Sequence, residues 1–236
     1  MTSEKAPGPA YKDLCIDAVD PGVAAEFYAA ALGLRIQELD DGDYRLNGET
    51  PEQLIWVNRV PEPKTVKHRV HLDVHVAQVA DLVAVGASLL DVLPGWTLLA
   101  DPEGGEICAF VREPDRLPTY RFYELVVDAV DHLAIATWWA DRLGGQVEHE
   151  DDDDFSAVVG GAGLPFELVF QEVPEPQTVK NRVHWDVWGS TPDLVAAGAT
   201  LVRARDQEIG WDVLADPEGN EFCCFAPPAA DRAESH

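Results

Sequence analysis

One stretch of sixteen residues occurs twice in this chain. It reads VPEPKTVKHRVHLDVH at Val60–His75 and VPEPQTVKNRVHWDVW at Val173–Trp188, so twelve of its sixteen positions are identical at an offset of 113 residues. Segments on either side recur at nearly the same spacing: YKDLCIDAVD returns as FYELVVDAVD at an offset of 111, and WTLLADPEGGEICAF returns as WDVLADPEGNEFCCF at an offset of 115. A repeat this regular indicates a tandem duplication of one structural unit.

The duplication divides the 236 residues into two domains of ordinary size. We predict a first domain at 10–114, a linker at 115–119 and a second domain at 120–226. The linker region REPDRLPTY contains two prolines and several charges, which is typical of a boundary. The polar, alanine-containing tail at 227–236 is predicted to be disordered.

Within each half, the pattern of strands and helices itself repeats. Asp20 and Pro21 form an N-cap and a first helical position, and Gly33 is a typical C-terminal glycine for the helix between them. Asp131 begins the corresponding helix of the second half. In each half, the pattern of one strand, one helix and three strands occurs twice. We therefore predict an α+β fold of four βαβββ modules with curved, mostly antiparallel sheets.

Charge and composition exclude several classes of partner. The formal net charge of −26 repels phosphate backbones, so nucleic acid is not expected as a partner. The apolar runs are shorter than the ~18–20 residues of a membrane span, and the first ten residues lack the apolar segment of a secretory signal, so we expect no membrane partner. The four cysteines form no C-x-x-C pair and are predicted to be buried, reduced thiols of a cytoplasmic protein.

The repeated histidine lies on a strand whose alternate side chains share one face. In RVHLDVHV these are His71, Asp73 and His75, and in the second copy they are His184, Asp186 and Trp188. The last strand of the second half places Glu221, Cys223 and Phe225 on one face in the same way. Such faces can line a cleft.

The segments NRVHWDV and ADPEGNEFC resemble the glyoxalase-like domains of the vicinal oxygen chelate superfamily, the group of glyoxalase I, extradiol dioxygenases and bleomycin-resistance proteins. The resemblance covers nearly the whole chain as two tandem domains. It implies that two modules form a curved sheet around a cleft that holds a divalent metal, here Zn, Ni, Fe, Mn or Co. One imidazole with two or three carboxylates suits such an ion.

The resemblance also implies which residues hold the metal. The second half offers Glu124, His184 and Glu221, which we expect to converge on one point, with Glu167 as a loosely held carboxylate that carries the proton in catalysis. The first half offers Asp13, His71 and Glu106 as a poorer copy, because aspartate is one methylene shorter and the counterpart of Glu167 is the neutral Gln53.

Two functions remain open at this point. One is a metal-dependent lyase or isomerase that acts on a small-molecule substrate. The other is a metal-free protein that sequesters a cationic or aromatic drug-like ligand, as bleomycin-resistance proteins do. The histidines could instead bond a neighbouring carboxylate, and Glu106 and Glu221 could only cap their turns. The duplication favours a pseudo-dimeric monomer or a homodimer.

The basic residues beside the histidine strands could have either of two roles. They either form local salt bridges, which we favour, or hold an anionic substrate; they are Lys67, Arg69, Lys180 and Arg182.

Overall fold

The computed structural model describes residues 8–150 and 154–228. Four βαβββ modules follow one another along the chain, so the predicted α+β class is confirmed. Residues 229–236, most of the tail predicted to be disordered, lie outside the described ranges. None of the helices within these ranges has the length and apolarity needed to span a bilayer.

The first half of the chain contains modules 1 and 2. Module 1 comprises β1 (Ala10–Ala18), α1 (Pro21–Leu32), β2 (Arg35–Glu38), β3 (Tyr44–Asn47) and β4 (Ile55–Arg59). Module 2 comprises β5 (Val70–Val76), α2 (Val79–Ala84), β6 (Ser88–Leu93), β7 (Trp96–Ala100) and β8 (Glu106–Val111). All four side chains of β2 are exposed, so alternation of buried and exposed residues does not mark its position in the sequence.

The second half of the chain contains modules 3 and 4. Module 3 comprises β9 (Phe122–Ala129), α3 (His132–Leu143), β10 (Gln146–Glu148), β11 (Phe155–Val159) and β12 (Glu167–Glu172). Module 4 comprises β13 (Val183–Trp188), α4 (Thr191–Ala196), β14 (Thr200–Arg203), β15 (Asp212–Ala215) and β16 (Glu221–Phe225).

The predicted helix boundaries are confirmed in both copies. The Asp20 carboxylate accepts a hydrogen bond from the Val23 amide at 3.2 Å, and Gly33 ends α1 in the left-handed conformation at φ 75°. In α3, Asp131 and Gly144 fill the same two roles, with φ 68° at the glycine.

Each of the two eight-stranded sheets combines a module from one half with a module from the other. Sheet 1 has the order β14-β15-β16-β13-β1-β4-β3-β2, and sheet 2 has the order β10-β11-β12-β9-β5-β8-β7-β6. The central contacts are antiparallel, β1 with β13 and β5 with β9. Modules 1 and 4 therefore share a sheet, as do modules 2 and 3. This exchange decides which side chains can meet.

The repeated DPEG turns tie the two sheets together. The carboxylate of Glu103, in module 2, accepts hydrogen bonds from the backbone amides of Val19 and Asp20, in module 1, at 3.0 and 2.7 Å. Glu218 makes the same pair of bonds one repeat later, from module 4 to module 3. This motif is repeated because the same junction between the sheets occurs twice.

Candidate functional site

One face of each sheet packs into a continuous apolar core, and the other face carries polar side chains. In β13, Val183, Trp185 and Val187 point into the core, so His184 and Asp186 lie on the opposite face. Asp186 is nevertheless only 3% exposed, which means that this face is recessed. We call the recessed polar face of sheet 1 cleft 1 and that of sheet 2 cleft 2.

A β-bulge turns one extra residue into each cleft. The register of β1 with β13 shifts between Tyr11 and Asp13, so Lys12 is the extra residue in sheet 1. The register of β9 with β5 shifts at the corresponding place, and Tyr123 is the extra residue in sheet 2. Bulges commonly redirect a side chain next to a functional site. Here they give cleft 1 an ammonium group and cleft 2 a phenol.

Cleft 2 contains a compact group of three potential metal ligands. A nitrogen of His71, a carboxylate oxygen of Asp73 and the sulfur of Cys108 all lie within 4.8 Å of one another. The parallel pairing of β5 with β8 places Asp73 beside Cys108, and His71 Nε2 lies 3.4 Å from Asp73 Oδ1. Glu124 on β9 pairs with Asp73 on the other side. Three neighbouring strands thus supply all four side chains.

Burial gives this group an unusual set of pKa values. It lowers the pKa of His71 to about 4, with the nearby Lys67 adding to the effect. It raises the pKa of Asp73 to about 8, and the charge of Glu124 adds to that rise. Burial also raises the pKa of the Cys108 thiol. At neutral pH the imidazole is therefore neutral, and the buried carboxyl retains its proton.

These residues fit a divalent metal. Within the described part of the chain, His71 Nδ1 and Asp73 Oδ1 are buried and make no hydrogen bond. One nitrogen, one oxygen and one sulfur donor suit Zn²⁺ and similar transition metals. Binding would release the protons that burial retains on the carboxyl and the thiol.

Cleft 1 contains a similar group, and the ammonium of Lys12 partly neutralises the negative charge in this cleft. Cys15, His184 and Asp186 place their ligand atoms within 4.8 Å of one another. Lys12 Nζ lies 2.5 Å from an oxygen of Asp13 and 3.8 Å from an oxygen of Asp186. Burial and the neighbouring Asp13 raise the pKa of Asp186 well above its usual range. An ammonium therefore already lies beside the one carboxylate of this ligand group.

The expected convergence of Glu124, His184 and Glu221 is wrong. Glu124 lies in sheet 2, whereas His184 and Glu221 lie in sheet 1, because the two halves exchange modules. For the same reason Asp13 shares a cleft with His184 and not with His71.

The carboxylates of Glu106 and Glu221 fasten the segments that cross from one sheet to the other. Glu106 accepts hydrogen bonds from Lys64 Nζ and the His68 amide, both at 2.9 Å. Glu221 accepts from Gln177 Nε2 at 2.8 Å, so the same arrangement recurs. Neither carboxylate belongs to a three-ligand group among the described residues, and their role as metal ligands stays a prediction.

The cysteines two positions beyond these glutamates belong to the clefts, although they were not predicted as ligands. Cys108 lies in the cleft 2 group, and Cys223 pairs with Asp186 in the register of sheet 1. The available signal was the strand period, since residues two apart share a face.

The expected correspondence between Gln53 and Glu167 is also wrong. Leu14 pairs with Ile55 in sheet 1, as Leu125 pairs with Leu168 in sheet 2, so Leu54 is the counterpart of Glu167. Gln53 instead closes a short turn by accepting a hydrogen bond from the Glu49 amide at 2.8 Å. Glu167 is exposed and lies directly opposite Glu124 in register.

A cavity of about 830 Å³ lies between the two crossing segments, Val60–Val70 and Val173–Arg182. Valine and proline side chains form much of its wall. It is bordered by Asp17, from the polar face of sheet 1, and by Asp128, from that of sheet 2.

The basic residues around this cavity are engaged locally. Lys67 pairs with Asp128 and Lys180 with Asp17, each at 2.7 Å, while Arg182 pairs with Glu103 at 2.9 Å. Arg69 donates to the backbone carbonyl groups of Glu175 and Asp128. The predicted local role is confirmed for the three ion pairs, and Arg69 joins the two crossing segments.

Comparison with known proteins agrees with this architecture. The chain is similar over 92% of its length to glyoxalase I from Zea mays, with 92% of that chain covered, a TM-score of 0.63 and 11% identity. It is similar to a putative dioxygenase from Bacillus subtilis (TM-score 0.61, 13% identity, 93% of this chain and 86% of that one). It is also similar to the cppA protein from Streptococcus pneumoniae (TM-score 0.52, 10% identity, 93% and 98%). Identities this low establish a shared fold alone.

No curated protein sequence matches the chain. The family model described as a glyoxalase-like domain matches it twice, at residues 13–110 and 124–225. These two matches span most of the sequence and coincide with the two copies of the repeat. The chain therefore belongs to the glyoxalase-like domain family, within the vicinal oxygen chelate superfamily.

Proposed function

We propose that cleft 2 is the active site of a divalent-metal-dependent lyase or isomerase that acts on a small molecule. The observation that carries this proposal is the group formed by His71, Asp73 and Cys108, whose donor atoms lie within 4.8 Å of one another on two adjacent strands. Three protein ligands leave coordination positions open for a substrate oxygen. A divalent metal bound there would polarise a substrate carbonyl and stabilise negative charge on its oxygen.

The chain supplies a path for the proton that such a reaction moves. Burial raises the pKa of Glu124, and the charge of Glu167 adds to the rise, so Glu124 is a better base than an exposed carboxylate. Glu124 is next to the ligand group, and Glu167, opposite it in register, is exposed. We assign Glu124 as the group that removes the proton and Glu167 as the group that passes it to solvent.

Aromatic side chains form the wall beyond the ligand group. His75 stacks on Tyr123 with ring centroids 4.5 Å apart, and Phe110 meets Tyr123 edge to face at 5.5 Å. Arg112 lies over Tyr123 at 5.6 Å. This wall suits a small substrate with an apolar or planar part beside its carbonyl group.

A metal-free binding function is the second candidate. The cavity between the crossing segments has the volume of a drug-sized ligand and is largely apolar. In this case the chain would sequester an aromatic or cationic small molecule and convert nothing.

We also propose an oligomeric state and a cellular compartment for the protein. Because each sheet already combines modules from both halves, one chain supplies two complete clefts, which favours a pseudo-dimeric monomer. The four cysteines are buried and unbridged, which fits a reducing cytoplasm.

The test compares two histidines that occupy the same position of the repeat. Wild type, His71→Ala and His184→Ala are loaded with Zn²⁺, dialysed and analysed for metal. Each is then incubated in deuterated water with a panel of α-hydroxy ketones and aldehydes, and deuterium incorporation is followed by nuclear magnetic resonance. We expect His71→Ala to lose both metal and exchange, and His184→Ala to retain both.

Glu124→Gln separates binding from proton transfer, since it should retain the metal and lose exchange at least 100-fold. The enzyme proposal is contradicted if wild type holds no metal while wild type and His71→Ala take up an aromatic cation equally tightly. That result would leave the binding function.

A further inference from the structure

We infer that Lys12 keeps cleft 1 free of metal by serving as its built-in cation, so that the two clefts of one chain have different roles. The bulge in β1 turns the lysine into the cleft, where its ammonium lies between two carboxylates. For the metal content of wild type, this inference rests on the proposed function of cleft 2.

The contacts of the ammonium hold it firmly in place. Its side chain is only 13% exposed and lies against the 2% exposed side chain of Asp13. Lys12 Nζ also lies 4.1 Å from the centre of the Phe225 ring and 5.4 Å from that of Trp188. Two carboxylates and two aromatic rings therefore stabilise the positive charge of the ammonium together.

The ammonium would compete with a metal for the carboxylate of Asp186. Asp186 Oδ2 lies 3.8 Å from Lys12 Nζ and 3.7 Å from the sulfur of Cys15, which is itself a potential ligand. A divalent ion held by Asp186 would therefore lie close to a fixed positive charge in a site with little water. Repulsion between the two is strong at such distances and low exposure. The residues of cleft 1 thus do not fit a metal while the lysine is present.

Cleft 2 lacks this competitor. The residue at the corresponding bulge is Tyr123, whose phenol carries no positive charge. Among the salt bridges of the described residues, Asp73 takes part only in the contact with His71, and Lys67 is engaged with Asp128. At the matched bulge position, therefore, cleft 1 has a cationic side chain and cleft 2 has a neutral one.

Metal stoichiometry tests the inference directly. Wild type, Lys12→Met and the charge-retaining control Lys12→Arg are equilibrated with Co²⁺ by dialysis, and bound metal per chain is measured. We expect one ion for wild type, two for Lys12→Met and one for Lys12→Arg. Adding His184→Ala to Lys12→Met should remove the second ion.

The outcomes separate this inference from the proposed function. If cleft 2 binds no metal, wild type should bind none and Lys12→Met one, which would refute the proposed function and still support the role of Lys12. Equal metal binding by wild type and a folded Lys12→Met would overturn the inference. Should Lys12→Met fail to fold, His184→Ala decides, because loss of bound metal in that variant would mean that cleft 1 holds metal beside its lysine.

Discussion

Asp73→Asn in the metal-free protein tests whether cleft 2 excludes enough water to keep the carboxyl group of Asp73 protonated. Asp73 is 6% exposed, and its pKa is about 8 in place of the ordinary 3.8. Between these two values the folded state holds a proton that the unfolded state has lost, so stability falls as pH rises. The slope approaches ~1.4 kcal/mol per pH unit, and the accumulated loss at pH 7 is about 4 kcal/mol.

Asparagine does not titrate, so the variant should lose this slope and become more stable than wild type at the upper end of the range. The assay is urea unfolding in chelator at pH 5.5, 6.5 and 7.5. Asp141→Asn is the control, because that side chain is 68% exposed and should leave the slope unchanged. Equal slopes for Asp73→Asn and wild type would refute the reasoning, since Asp73 would then ionise as it does in water.

Two further predictions compare matched positions of the repeat. At Gly33 an added Cβ would lie 2.2 Å from the Thr119 carbonyl oxygen, whereas at Gly144 nothing lies within 4 Å, and both residues are left-handed. Gly144→Ala should therefore cost ~1 kcal/mol of unfolding free energy in urea titrations and Gly33→Ala at least twice as much; equal costs would contradict the packing argument. Glu103→Ala should lower the free energy of unfolding by about 2–3 kcal/mol. Glu218→Ala should lower it less, because Glu103 also pairs with an arginine of the second crossing segment. An unchanged free energy of unfolding in both variants would mean that the DPEG turns do not join the sheets.

Local patterns in the sequence were sufficient to predict the modules. The N-cap at Asp20 and the glycine at Gly33 are short-range signals, and the structure confirms both. The alternation in β5 correctly indicated that His71 and Asp73 share a face. The exposed strand β2 has no such alternation to mark its position.

The grouping of the site residues could not be predicted in the same way. Whether β1 pairs with β5 or with β13 depends on long-range packing between modules that share several repeated segments. Repetition makes both pairings compatible with the same local pattern. The position of Lys12 depends on a bulge, which one strand alone does not reveal. The regrouping of Glu124 with His71 follows from these two features.

The most direct test of the metal site is a Co²⁺ titration that follows the thiolate-to-cobalt charge-transfer absorption. Cys108 and Cys223 are matched cysteines on β8 and β16, and only Cys108 lies in the cleft without a lysine. We predict that wild type develops the thiolate band and saturates at one ion per chain. Cys108→Ser should abolish that band, and Cys223→Ser should leave it unchanged. Loss of the band in Cys223→Ser, or its persistence in Cys108→Ser, would contradict a metal site formed by modules 2 and 3.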